Sequence, residues 1–186
     1  MNMSELKEIY AIEWMGPYNS IDEIECREGI EECFIYLITG RLYHGGPRGI
    51  RYVGITKRIV SKRLSDKDHL KKQEKIRDKQ FWIGRFSVSS YNNLDTKARR
   101  NRAEQVETLL VRFLTNLSGI KMINDKKVYS DPIKPIGIIN RWQKKYVDEN
   151  RYNKPTGLLK LPDILIYVDK EFLVSDKLKL RLYTPE

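Results

Sequence analysis

Hydrophobic positions change period several times along this chain, and each change marks an element. Cys33-Phe34-Ile35-Tyr36-Leu37-Ile38-Thr39 is a short, β-rich, almost continuously apolar run, the pattern of a strand buried on both faces. Gly40 ends it. Tyr43 to Gly49 is turn chemistry, and the apolar run Ile50 to Ile55 behind it predicts a hairpin. From Lys57 the pattern turns helical and basic. Ser65-Asp66-Lys67-Asp68 has the form of a capping box, which predicts a fresh helix running to about Gln80. Phe81 to Val88 predicts a third strand, followed by a polar loop from Ser89 to Asp95. A long helix over Thr96 to Leu117 comes next. At ~100° per residue from Val106, the residues Ala103, Leu110, Val111, Phe113, Leu114 and Leu117 share one arc of it.

The two ends are less patterned. Residues 1–32 read as irregular or weakly helical, broken at Gly16-Pro17. Beyond Gly119, Ile136 to Tyr146 suits a strand or a short helix. Asp163 to Val168 and the alternating Lys177 to Leu182 suit a terminal pair of strands.

A chain of 186 residues with 40% hydrophobic and 32% charged residues suits one compact domain, too apolar for disorder. Its longest apolar run, Cys33 to Ile38, is far below the ~18 residues that cross a bilayer, and the N-terminus lacks the plan of a signal peptide. A cytoplasmic location with no membrane partner is therefore expected. Cys26 and Cys33 are too few for a disulfide framework and show no metal-ligand spacing.

Charge adds more. Residues 57–102 hold 15 Lys and Arg against 5 acids, a surplus as large as the +10 of the whole chain. Residues 1–32 carry nine acids and two bases. A clustered cationic segment favours a polyanion such as nucleic acid, because binding releases condensed counterions. The plainer reading is a solubilising helix surface, which ordinarily mixes both signs more evenly. The glycines of residues 45–49 do not make a phosphate loop, since no Lys-Ser or Lys-Thr follows at the required spacing.

One helix residue calls for an explanation. Glu107 falls inside the apolar arc, where an unpaired carboxylate costs several kcal/mol, so either a metal ion or a buried Lys or Arg should meet it. Glu104 lies just beyond the rim.

Taken in order, Phe34-Ile35-Tyr36, Tyr52-Val53-Gly54, Arg63, His69, Glu107 and Asn124 resemble the GIY-YIG nuclease family over residues 33–125. The resemblance implies an α+β fold, a small three-stranded antiparallel sheet flanked by helices, here with a C-terminal β-containing extension. Residues 1–32 would then be an acidic N-terminal segment and residues 126–186 an extension packed on the same domain.

It also implies roles. Tyr36 and Tyr52 stand at the two motif tyrosines, brought together by strand pairing, and either phenol could handle a proton if cations such as Lys57 or Arg63 steadied its charged form. A core aromatic is the plainer reading of each. Arg63, beside Lys62, matches the arginine that holds the scissile phosphate and offsets transition-state charge. His69 lies six residues after Arg63, a rotation of about 240° on a regular helix, so it joins the site only if the helix breaks near Ser65. Glu107 matches the metal ligand, and one carboxylate suits Mg²⁺, or Mn²⁺, which keeps most of its waters. Asn124 matches a late asparagine near the phosphate. Phe34 and Val53 depart from the family's motifs, and the hairpin insertion from Arg41 to Arg51, with Tyr43, His44 and Arg48, is long.

The expectation is thus a metal-dependent endonuclease acting on nucleic acid, DNA favoured over RNA, with Lys57, Lys62, Arg99 and Arg100 gripping the backbone. Compact members of that family are small restriction enzymes, often homodimers, or repair or mobile-element nucleases. A non-catalytic nucleic-acid-binding protein on the same scaffold and a protein-interaction module are the other readings.

Overall fold

A computed structural model describes residues 6, 8–25, 34–86, 95–116, 120–144, 147–151, 154, 155, 158 and 160–176. The apolar run after residue 33 forms strand β2 (Phe34–Leu42), and its alternate residues enter different cores. Ile35 and Leu37 pack with Trp14, Val53 and Trp82, whereas Tyr36 and Ile38 pack with Tyr52, Leu64, Phe81 and Ile83. A strand buried on both faces has no polar positions to alternate, hence its near-continuous hydrophobicity. β2 lies antiparallel between β3 (Gly45–Thr56) and β4 (Ile76–Phe86), with Tyr36 opposite Gly54 on one side and Ile83 on the other.

The sheet does not stop at these three strands, which corrects the small three-stranded sheet expected. Strand β1 (Ile9–Tyr18) pairs antiparallel with β4 and parallel with β5 (Ile136–Lys144). Beyond β5 come β7 (Ile164–Val168) and β8 (Glu171–Ser175), while β6 (Val147–Arg151) pairs with the other end of β5. Seven strands follow the order β3-β2-β4-β1-β5-β7-β8 in one mixed sheet that curls into a half-barrel; the class remains α+β.

Residues 9–18, read as irregular, are therefore central strand. Tyr10, Ile12 and Trp14 are buried on one side of β1, a period of two that the apolar, buried Ala11 and the Gly16-Pro17 break obscure. Pro17 falls where the β1–β4 register shifts between Met15 and Tyr18, so its missing N–H interrupts no regular ladder. By pairing the second edge of β4, β1 removes an open ladder that a three-stranded sheet would have exposed.

Helices flank both faces. α1 (Asp22–Glu25), α2 (Val60–Leu64) and α3 (Lys67–Gln73) lie toward the Tyr36 side, and Ile24, Val60 and Leu64 enter that core. α4 (Thr96–Asn116) buries Val106, Leu110, Val111 and Leu114 against the opposite side. A new helix does start after Ser65, but the carboxylate of its N-cap, Asp66, makes no capping bond. α3 also ends at Gln73, not Gln80. Gln73 donates to the Leu64 carbonyl at 2.7 Å, and Ile76 enters the ladder opposite Leu42. A long-range partner for residues 76–80 outweighs their helical charge pattern.

The β2–β3 turn is tighter than expected: Leu42 pairs with Gly45, leaving only Tyr43 and His44 between the strands. Past α4, residues 120–127 run along the outer edge of β3, where the Ile123 N–H donates to the Arg51 carbonyl at 2.8 Å. Ile136 to Lys144 resolves as strand, and the partner of β7 is β8; Lys177 to Leu182, like Cys33, Ser87 and Leu117, lies outside the described residues. Among the described residues no helix is long and apolar enough to cross a membrane.

Candidate active site

Strand pairing places Tyr36 diagonally across from Tyr52, on the face covered by α3. Their rings stack at 6.0 Å with 26° between planes. Tyr36 lies over Gly54, its register partner: a Cβ there would stand 2.5 Å from Tyr36 Cζ and Oη and 2.8 Å from Tyr52 Cε1. Only glycine leaves room for both rings. The break between α2 and α3 resets the helical phase, so His69 turns inward and meets both phenols edge-on, at 6.2 Å from Tyr36 and 5.6 Å from Tyr52.

Burial governs protonation here. It pushes the Tyr36 phenol far above its ordinary value, the Tyr52 phenol adding to the effect and Arg63 opposing it. Burial raises Tyr52 as well, against the pull of Lys72. His69 is lowered to about 4, by burial first and then by the charges of Arg63 and Lys72. At neutral pH both phenols keep their protons and the imidazole is neutral.

Two cations face this cluster. Arg63, on α2, donates to the Asp66 carboxylate at 2.9 Å and hydrogen bonds to Tyr36; these bonds outweigh burial and raise its pKa. Arg58 shares the same Asp66 carboxylate. Lys72, one turn beyond His69 on α3, sits 5.7 Å from the centre of the Tyr52 ring and pairs with Asp125 at 2.8 Å. That bond to Asp125 raises Lys72 above its ordinary value.

The carboxylate arrives from the other side of the sheet. α4 packs against β3, and Glu107 reaches past the strand edge into a cavity of about 840 Å³ lined also by Tyr36, Tyr52, Arg63, His69 and Lys72. Its side chain is 14% exposed, and Lys127 Nζ donates to it at 2.5 Å. Burial raises the Glu107 pKa while Lys127 pulls it down. Of the two partners anticipated for this carboxylate, the lysine is therefore present.

Asn124 lines the same cavity and also has a backbone role. Its carboxamide accepts from the Val53 N–H at 3.1 Å and donates to the Val53 carbonyl at 2.8 Å, completing the open edge of β3 like one more strand residue. The clip fixes the segment that carries Asp125 and Lys127. Arg100 lines the cavity and pairs with Glu104 at 2.6 Å. Lys57 and Lys62 are exposed and lie outside the lining; Arg99 is half-buried in the first turns of α4.

The donor set fits one hard divalent cation. Among the described residues no three His, Cys, Asp or Glu stand together as a metal cage. Asp66, Asp68, Glu104 and Asp125 also line the cavity, but Asp66, Glu104 and Asp125 are paired with arginines or Lys72 nearer solvent. Glu107 is thus the buried carboxylate that would meet the ion, and a single one suits Mg²⁺ because that ion keeps several waters and uses few protein ligands.

The chain matches no protein-family model, no curated protein and no solved structure.

Sequence reasoning missed three members of the site. Lys72 carried a usable signal, since it lies three residues after His69 on one helix face. Asp125 and Lys127 carried none, because their places depend on a nonhelical segment docking against β3.

Proposed function

We propose that this protein is a divalent-metal-dependent endonuclease that hydrolyses phosphodiester bonds in DNA. The observation that carries the reading is convergence: Tyr36, Tyr52, Arg63, His69 and Glu107, taken from β2, β3, α2, α3 and α4, line one cavity. Residues so far apart in sequence share a cavity by chance far less readily than any one of them finds a structural role.

Glu107 would hold the cation, Mg²⁺ or Mn²⁺, with Lys127 giving up the carboxylate on loading. When bound, the cation supplies Lewis-acid polarisation of the phosphate and charge neutralisation. Arg63 faces the developing charge on the phosphate and steadies it. His69, neutral at pH 7, is the group able to accept a proton from water, while the two protonated phenols orient the nucleophile and donate hydrogen bonds. Lys72 joins Arg63 as a second phosphate contact once it leaves Asp125.

A second reading has its own observation. Lys127 already neutralises Glu107, so the scaffold is also consistent with a protein that binds nucleic acid without cutting it. Incubating supercoiled plasmid with the protein in Mg²⁺, Mn²⁺ or EDTA, beside a Glu107→Gln variant, separates the two. Metal-dependent nicking lost in Glu107→Gln supports the nuclease. Retained DNA binding with no cleavage in any metal refutes it and favours the scaffold.

A further inference from the structure

The β2–β3 hairpin extends beyond this cavity and ends in a feature that its fold does not require. Two-residue hairpin turns favour small residues such as Asn-Gly, yet this one carries Tyr43 and His44. Tyr43 is 64% exposed, and residues 43–48 are all exposed. Gly45 and Gly46, with φ of +101° and +96°, supply the unusual backbone beside the apex, and nothing lies within 4 Å of where their Cβ atoms would be. The apex is therefore free of protein neighbours on that side.

The apex is nonetheless held in place. The Tyr43 N–H donates to the Lys75 carbonyl at 3.1 Å, and Arg48 donates to the Asp78 carbonyl at 2.9 Å. The Arg77 guanidinium sits 5.4 Å from the centre of the Tyr43 ring, and His44 meets the ring edge-on at 6.3 Å. Around the ring, residues 41–48 and 74–79 carry five Lys and Arg against two acids. One of those acids, Asp78, stands 3.9 Å from Arg41.

A fixed, exposed aromatic ring among cations matches the chemistry of nucleic acid, in which bases stack and phosphates pair. An acidic peptide would use the cations but leave the ring idle. We infer that the β2–β3 hairpin is a second nucleic-acid contact, in which Tyr43 stacks on a base and Arg41, Arg48, Arg77 and Lys79 hold neighbouring phosphates. Tyr43 lies seven residues beyond Tyr36, roughly 23 Å at ~3.3 Å per strand residue, which is within one ~34 Å turn of duplex. One DNA molecule can then touch both the cavity and the hairpin. The inference rests on nucleic acid being the ligand and not on catalysis.

The test is binding in EDTA, where no metal-dependent cutting occurs. Fluorescence anisotropy would follow dye-labelled 30-mer duplex and single-stranded DNA across a salt series, for the wild type, Tyr43→Ala, and the double variant Arg41→Gln with Lys79→Gln. Melting curves verify folding, which these exposed positions should not disturb. Expected are a tenfold or greater loss for Tyr43→Ala with an unchanged salt slope, and a slope shallower by about two for the double variant. Wild-type binding matched by both variants overturns the hairpin contact alone. A wild type that binds no nucleic acid at all overturns the contact together with the nucleic-acid reading of the cavity.

Discussion

Lys127 Nζ and the Glu107 carboxylate form a 2.5 Å ion pair across the mouth of the cavity, joining α4 to the segment that Asn124 clips to β3. Removing one partner of a buried pair leaves an uncompensated charge, at ~3–5 kcal/mol when both are fully buried. Lys127 is 27% exposed, so Lys127→Met should destabilise by about 2 kcal/mol at pH 7. Without the amine the Glu107 pKa rises further, and the folded protein takes up a proton that the unfolded chain does not. The deficit should therefore shrink as pH falls from 7 to 5. Urea unfolding of both proteins at the two pH values checks this; an equal deficit at both would mean that Lys127 does not hold Glu107 ionised.

His69 predicts an opposite pH trend. Its folded pKa of about 4 lies below the ordinary 6.5, so between those values the unfolded chain binds the extra proton. The stability it contributes is complete above pH 6.5 and is lost as pH falls toward 4, by up to about 3 kcal/mol. His69→Phe should flatten that part of the stability curve. Imidazole NMR shifts should stay at their neutral positions at pH 5.5, and a titration midpoint near 6.5 would contradict the burial.

Gly54 makes the Tyr36–Tyr52 stack possible, and overpacking a filled core costs ~1–3 kcal/mol. Gly54→Ala should lose stability in that range and alter the near-ultraviolet dichroism of the tyrosines. The effect should be smaller in a Tyr36→Ala background, because the two closest atoms struck by the new methyl, Tyr36 Cζ and Oη, are gone and only the Tyr52 Cε1 contact remains. Additive losses in the double variant would show that the methyl disturbs something other than the Tyr36 ring.

Strong local patterns in the sequence identified β2, β3, α4 and the C-terminal strand β7. Each has a long apolar run or a sustained helical arc, and such patterns survive in any tertiary context. The same arc singled out Glu107 as a carboxylate needing a partner. The short spacing of chain around Ser65 was enough to pose the question of His69, whose direction depends on where one helix stops and the next begins.

Tertiary structure decided the rest. β1 carries the Gly16-Pro17 break near its end, and pairing with β4 and β5 makes it a strand. Residues 76–80 look helical alone and extend because β2 offers them a ladder. On sequence grounds the partner of Glu107 could be a metal or a cation, and Lys127 reaches it only because Asn124 ties its segment to Val53. The sequence by itself determined which residues could do chemistry, through residue type and local period. Which of them meet depended on chain segments far apart, whose pairing is set by the burial of both faces of one sheet.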